Sequence, residues 1–444
     1  MSLKERLQET MEQRGHPIRV GLVGAGQMGT GLISQIEKMV GMRVVAVADV
    51  LPGRAGAAYA QAGLAPERVA WEEDRPERAG ERIAGGQVVA THSSDLLVEI
   101  PNLDVIVEST GVPEVGARVC HAGILARKHV VNMNVECDAT VGYYLANLAR
   151  ASGMVYTLVA GDEPGAVREL YDFADALGFE IVCIGKGKNN PLDVTANPDT
   201  VGPRAREQNM SPKMLASFVD GTKTMVEMTA MGNSTGYAPE VRGAHGPSAS
   251  VSDLPRLFVP QADGGILNGR GAVDYAVGSI APGVFVIITT DQPKIIADLN
   301  YLHLNGHGGY WALYRPYHLA NLETPISIAR AVVYNEATIS TLRPPVAETI
   351  AMAKRDLRAG EKIDALGGYT VYGMIERAEV AEQEGLVPLG VVVGATLTRD
   401  VPQGQALQYS DLELDESQWI FHLRKLQEKL LGQRQHSGQA VAAA

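Results

Sequence analysis

Two lysines and two adjacent carboxylates mark where this chain could do chemistry. Lys186 and Lys188 alternate with glycines in Gly185-Lys-Gly-Lys-Asn-Asn190, directly after an apolar strand. Lysines and amides at a strand's C-terminal edge suit a phosphate or carboxylate; the bland alternative is a solvated loop. Asn189 belongs to the same cluster. Between 186 and 223 lie Lys186, Lys188, Arg204, Arg206, Lys213 and Lys223, against Asp193, Asp199, Glu207 and Asp220. That segment is positive in a chain whose formal net charge is −12. Asp162 and Glu163 stand at a strand end and helix start, where acids cap a helix or ligate Mg²⁺ or Mn²⁺. Lys223 and Glu227, four apart on a predicted helix, form either a surface pair or an inward catalytic pair. Asn233, in the Gly/Ser/Thr-rich turn beyond, completes the catalytic candidates. His245, His303, His307 and His318 lack zinc-motif spacing and read as structural.

A second cluster concerns a cofactor. Gly24-Ala-Gly26-Gln27-Met28-Gly29 fits GxGxxG after a strand and at the opening of a helix, and Asp49 ends the next strand 25 residues on from Gly24. The first glycine permits the tight turn, the second lets a pyrophosphate approach, and the third lets helix and strand pack. The helix N-terminus then offers unpaired N–H groups to the phosphates. Asp49 would accept from ribose hydroxyls, which favours NAD; Arg54 would hold a 2′-phosphate, which favours NADP, or is a solvated helix charge. Ser109-Thr110-Gly111 would lie on the nicotinamide side. Asn134 would approach the carboxamide or its ribose, or is a strand-end turn residue.

The elements that must position these groups alternate. Apolar strands are expected at Ile18–Gly24, Met42–Ala48, Gln87–His92, Asp104–Ser109, His129–Asn134 and Met154–Ala160, separated by helices or loops, as a parallel α/β sheet requires. The polar insert Pro66–Gly86 reads as a surface helix or loop. Helices are expected at Gly165–Leu177, Pro212–Glu227 and Ile326–Thr338, and strands at Glu180–Ile184 and Val284–Thr290. Residues 350–415 read as a small all-β module, followed by an amphipathic helix at Gln418–Leu431 and a disordered-looking tail at Ser437–Ala444. The expected organisation is a doubly wound Rossmann domain (1–153), an α+β catalytic and dimerisation domain (154–345), a β-clip domain (346–415), and a C-terminal helix and tail (416–444).

Composition narrows the partners. The 444 residues, 45% hydrophobic and 20% charged, leave ample material for buried cores. An acidic chain lacks the footprint of a general nucleic-acid binder and does not suit an anionic membrane surface. No apolar run approaches the ~20 residues that span a bilayer. Lys4, Glu5 and Arg6 follow Met1 where a secretory signal would be apolar. Cys120, Cys137 and Cys183 make neither a disulfide framework nor a metal knuckle. The expectation is a cytoplasmic enzyme acting on a small molecule, with no nucleic acid or membrane partner; a homodimer is the default. Glycine reaches 48, so the fold leans on close backbone approach.

On these residues the chain resembles known oxidoreductases. Val20–Gly29 through Asn134 is similar to homoserine dehydrogenases. Gly161-Asp-Glu-Pro-Gly165, Gly185-Lys-Gly-Lys-Asn-Asn-Pro191 and Asp220-Gly-Thr-Lys-Thr-Met-Val-Glu-Met228 resemble the 1-deoxy-D-xylulose 5-phosphate reductoisomerase-like oxidoreductases. Residues 350–415 look like an SAF domain. The resemblance implies an NADPH-dependent reductoisomerase (NADH being the alternative) that makes 2-C-methyl-D-erythritol 4-phosphate for isoprenoid synthesis. It further implies a small phosphorylated sugar as substrate and a divalent metal, Mg²⁺ or Mn²⁺. Lys186 and Lys188, with Asn189, would then hold the phosphate. Asp162, Glu163 and Glu227 would ligate the metal, and Lys223 would bond a hydroxyl or shuttle a proton. Two departures stand out: Val135 replaces the lysine of the family's Asn-Lys-Glu, and Asp162 and Glu163 are adjacent where the family has Asp-x-Glu. The rival readings are a homoserine, sugar-acid or polyol dehydrogenase, and, from another class, a nucleotide-sensing or assembly module carrying an SAF domain.

Overall fold

Runs of valine, isoleucine and alanine bounded by glycine and polar turns build two sheets. The computed structural model describes residues 1–208 and 210–442, with side chains through Gln433. It divides into two compact units: Met1–Asp162 with Leu319–Leu342 and Leu426–Ala444, and Glu163–His318 with Arg343–Lys425.

The first unit holds strands β1 (Ile18–Val23), β2 (Met42–Ala48), β3 (Val69–Trp71), β4 (Val88–Thr91), β5 (Val105–Glu108), β6 (His129–Asn132) and β7 (Tyr156–Leu158). All pair in parallel, in the order β3-β4-β2-β1-β5-β6-β7. Helices cover both faces, so the strands are apolar nearly throughout rather than alternating. On one face Val20, Leu22, Val44 and Val107 pack with Leu32, Ile33 and Ile36 of the helix Gln27–Ile36. On the other, Val23, Val45, Val89 and Ile106 pack with Ile83, Leu97 and Val119. Strand order reverses at β1, which leaves a crevice at the C-terminal edge between β1 and its neighbours. This is the doubly wound Rossmann architecture. The insert 66–86 departs from expectation: it supplies edge strand β3 and the helix Pro76–Ala84. Three residues are too few for a periodic signal.

The second unit is built on β8 (Glu180–Lys188), β9 (Ala272–Val277), β10 (Val284–Thr289), β11 (Gly306–His307) and β12 (Tyr310–Arg315), ordered β11-β12-β10-β8-β9. Only β8 and β9 run parallel. Helices Glu163–Ala176 and Thr222–Thr235 cover one face, through Ala166, Val167, Met225 and Met228. Leu254, Phe258 and Val259 cover the other.

Two elements here correct the sequence reading. The helix expected over Pro212–Glu227 breaks at Asp220-Gly221: Gly221 has φ +88°, and Asp220 accepts from Thr222 N at 2.9 Å. The residues expected as a separate third domain, with β13 (Ala347–Ala353), β14 (Val371–Arg377), β15 (Thr396–Leu397) and β16 (Leu412–Glu413), are β-rich but belong to the second unit. Polar bonds tie them to the helix Thr222–Thr235: Gly373 N donates to Thr222 Oγ1 at 2.9 Å, and the Thr229 and Thr349 hydroxyls meet at 2.8 Å. The last helix spans Trp419–Ala442, through most of the expected tail; the final two residues lie outside the described ones.

Candidate active site

The glycine fingerprint does in space what its spacing implies. Gly24 has φ +98°, and a Cβ there would come within 2.9 Å of the Ser109 carbonyl carbon. A Cβ on Gly29 would meet Gly24 O at 2.1 Å, so this glycine lets helix and loop touch. A Cβ on Gly26 would meet nothing within 4 Å, because it faces open space. A glycine with room to spare at a helix N-cap fits an approaching phosphate. Asp49 is tied to the loop through both oxygens: Oδ2 accepts from Ala25 N at 2.8 Å and Oδ1 from Leu51 N at 2.9 Å. Each oxygen keeps a second lone pair.

Gly24, Gly26 and Asp49 edge a cleft of about 360 Å³, lined also by Arg54, His92, Ser109, Thr110 and Arg118. Ser109 Oγ donates to Gly24 O at 2.8 Å, locking the β5 loop to the fingerprint. Gly24, Gly26, Asp49, Arg54, Ser109 and Thr110 therefore gather as expected. Gln27 and Met28 are exposed, and they, Gly29, Gly111 and Asn134 do not line the cleft. Asn134 is fully buried and caps the helix Val135–Ala151 by accepting from Cys137 N at 3.1 Å. His92, stacked on Trp71 with ring centroids 5.0 Å apart, and Arg118 went unnoticed in the sequence, since no local motif marks them.

The basic cluster is a strand, not a loop. β8 runs on to Lys188, so Gly185 and Gly187 point to one face, Lys186 and Lys188 to the other. The glycines are required: a Cβ on Gly185 would meet Asp274 O at 2.3 Å, and one on Gly187 would meet Ala281 N at 2.2 Å. The lysines face a pocket of about 260 Å³ lined by Glu163, Asn189, Asn190, Arg204 and His318.

Lys186 and Lys188 then diverge. Lys186 Nζ donates to Glu163 Oε1 at 2.7 Å and to Glu227 Oε2, and is buried with them. Burial alone would push its pKa down; the charges of Glu163 and Glu227 more than offset this and hold it well above the usual lysine range. Lys223 Nζ lies 3.9 Å from Glu227 Oε1, so Lys223 and Glu227 are the inward pair. Burial, reinforced by the charge of Glu163 and opposed by Lys186 and Lys223, lifts Glu227 to about 7. Lys188 Nζ donates to the Phe218 carbonyl at 2.8 Å. Burial and the neighbouring Lys186 charge bring it down to about 8.

Three expectations change. Lys186 is committed to two carboxylates and does not present itself as a phosphate anchor. Asn233 is structural: Oδ1 accepts from Val346 N and Ala347 N, both at 2.9 Å, while Nδ2 donates to Ala347 O at 3.1 Å. The space between Glu163 and Glu227 does not fit a divalent ion, because the Lys186 ammonium already stands there. Asp162 is the last residue of the first unit. Asn189 is exposed at the pocket edge, its Oδ1 accepting from Asn190 Nδ2 at 2.8 Å, and Arg204 donates to Asn190 Oδ1 at 2.8 Å. His318, read from the sequence as structural, lines the pocket instead. Its Nδ1 lies 2.7 Å from Pro282 O, which can only accept, so Nδ1 is a donor there; Nε2 stands 3.5 Å from Glu163 Oε2.

With this geometry in hand, residues 161–324 match a family model described as "Oxidoreductase DRL, catalytic domain". Among solved structures, the chain overlaps a homoserine dehydrogenase from Thiobacillus denitrificans (16% identity, 87% of this chain and 98% of that one, TM-score 0.43). It also overlaps a probable dehydrogenase from Thermotoga maritima (13%, 72% and 90%, TM-score 0.42). A scyllo-inositol dehydrogenase from Lactobacillus casei overlaps less fully (12%, 67% and 76%, TM-score 0.36). No curated protein matches. Overlaps this partial leave the site to be read from its own residues. The chain is an oxidoreductase with a Rossmann-type domain. No helix among the described residues is long and apolar enough to cross a membrane.

Proposed function

We propose that this oxidoreductase reduces the carbonyl of a small anionic substrate with NADPH. The carrying observation is the contrast on one face of β8. Lys188 offers a partly buried cation with one carbonyl partner, whereas Lys186 is locked between carboxylates. Lys188, Arg204 and the amides of Asn189 and Asn190 form the basic side of the pocket and bind the anionic group. When bound, the nicotinamide supplies the hydride. The proton for the carbonyl oxygen comes from the Glu227–Lys186 pair, in which a buried carboxyl near pH 7 suits general acid work. Asp49 accepts from the ribose, and Arg54 at the same edge favours a 2′-phosphate and hence NADPH. A phosphorylated ketose such as 1-deoxy-D-xylulose 5-phosphate leads the candidate substrates on the resemblance of Gly185–Pro191 and Asp220–Met228.

The experiment follows nicotinamide absorbance with purified protein, NADPH and, in turn, deoxyxylulose phosphate, aspartate semialdehyde, and oxidised polyols and sugar acids. Turnover confined to phosphorylated or carboxylated substrates supports the reading. Turnover of neutral oxidised polyols alone would defeat the role of Lys188.

A further inference from the structure

The chain's resemblance carries a metal expectation that the Glu163–Glu227 pair does not fit, and the misfit points to what stands between these two carboxylates. Glu163 opens the helix Glu163–Ala176 and Glu227 lies in the helix Thr222–Thr235, both packed on the face of β8 that presents Lys186. Lys186 Nζ reaches both carboxylates, at 2.7 Å from Glu163 Oε1 and in direct hydrogen bond to Glu227 Oε2. Its side chain is 6% exposed and that of Glu227 is 1%. Lys223 adds a second ammonium 3.9 Å from Glu227 Oε1. Two buried carboxylates thus meet two ammonium groups. Inserting a divalent ion would leave a net positive charge in a desolvated site, at a cost of several kcal/mol per uncompensated ion. Hard divalent cations gather carboxylate oxygens that lack an internal counter-charge, and these have one.

We propose that Lys186 is the resident cation of this site: its ammonium takes the place a divalent ion would hold between Glu163 and Glu227, and the oxidoreductase works without a metal there. The proposal rests on reading the β8 pocket as the substrate site. It assigns the lysine a defined chemistry, since an ammonium at the pocket wall polarises a bound carbonyl without leaving its two carboxylates, and any proton it passes to the carbonyl oxygen is replaced from the Glu227 carboxyl. Within this unit the carboxylate and imidazole atoms that an added cation would meet together are Glu163 Oε2 and His318 Nε2, 3.5 Å apart.

The test is Mn²⁺ binding by the full-length protein after exhaustive chelation, read from the electron paramagnetic resonance signal of free Mn²⁺. Wild type should leave the signal of stoichiometric Mn²⁺ undiminished. Lys186→Ala should bind Mn²⁺ at least about tenfold more tightly than wild type, and Lys186→Ala/Glu227→Gln should lose that gain. Wild-type binding that Glu227→Gln abolishes would overturn the proposal. So would stoichiometric wild-type binding that His318→Ala abolishes, because Glu163 would then hold a metal after all. Wild type and these last two variants decide the matter even if Lys186→Ala does not fold. NADPH titration of the same samples is a separate readout, so failure of the oxidoreductase reading stays distinguishable.

Discussion

Lys186 and Lys188 stand two residues apart on one face of β8, yet the first is clamped between Glu163 and Glu227 while the second donates to the Phe218 carbonyl. The strand's alternation brings both to the same pocket, and the surrounding helices decide what each can do. One keeps its charge by pairing with two carboxylates; the other, bonded to a carbonyl, lines the pocket with its charge unpaired by an acid in the proposed reading.

That division predicts opposite effects of truncation. Lys188→Ala should raise KM for the anionic substrate about tenfold to a hundredfold, the loss of one charged hydrogen bond, with NADPH affinity unchanged. Lys186→Ala should instead lower stability by about 3–5 kcal/mol, because two buried carboxylates lose their partner. Steady-state kinetics and urea unfolding of the two variants separate the roles; equal effects on KM would refute the division.

Cofactor choice should depend on Arg54. At the cleft edge beside Asp49, it is placed to meet a 2′-phosphate. Arg54→Ala should weaken NADPH about tenfold, the order expected for one charge-assisted contact, and leave NADH nearly unaffected. Fluorescence titration with both nucleotides checks this, and equal losses would show that Arg54 reads something common to both.

The Rossmann sheet carries a buried acid with a pH signature. Glu108 ends β5, is fully buried, and accepts from Thr110 N at 2.9 Å and from the Thr110 hydroxyl. Burial raises its pKa from 4.5 to about 7, against the bonds from Thr110. The folded state therefore holds a proton that the unfolded state has released between those values, so stability falls as pH rises from about 4.5 to 7. A shift of this size corresponds to about 3 kcal/mol. Glu108→Gln should flatten the pH dependence of urea unfolding between pH 5 and 8; an unchanged slope would place the titration elsewhere.

The β-rich segment should be fastened by another buried pair. Lys354 Nζ bonds Asp220 Oδ2 at 2.8 Å, Ala196 O at 2.7 Å and Gly368 O at 2.9 Å, and both side chains are buried. Lys354→Met leaves Asp220 charged and unpaired and should cost about 3–5 kcal/mol. The Asp220→Asn/Lys354→Met double variant should recover part of that loss in the same unfolding assay.

What the sequence disclosed follows from range. The Gly24–Gly29 fingerprint, the parallel strands and the acid at Asp49 are local patterns, and each stands where its spacing put it. The β8 lysines are visible, but their strand reads as ending at Ile184 because glycine and lysine lack strand propensity. Only the close contacts at Gly185 and Gly187 explain why the strand continues. The carboxylates that claim Lys186 come from positions 163 and 227, and His318 comes from beyond β12; no spacing rule links positions brought together only by packing. Asn233 misled for a related reason, since a polar residue near a glycine-rich turn looks the same whether it meets a ligand or the β13 backbone.

The Rossmann cleft should bind a reduced nicotinamide dinucleotide through the open face of Gly26. A side chain at Gly26 meets open space, whereas one at Gly29 collides with the Gly24 carbonyl. NADPH titration of Gly26→Val, alongside its thermal unfolding, is the direct measurement. The expected result is a native-like Tm with NADPH affinity reduced at least about tenfold relative to a saturable wild type. A wild type that does not bind NADPH, or a folded Gly26→Val that binds it as well as wild type, would contradict the claim.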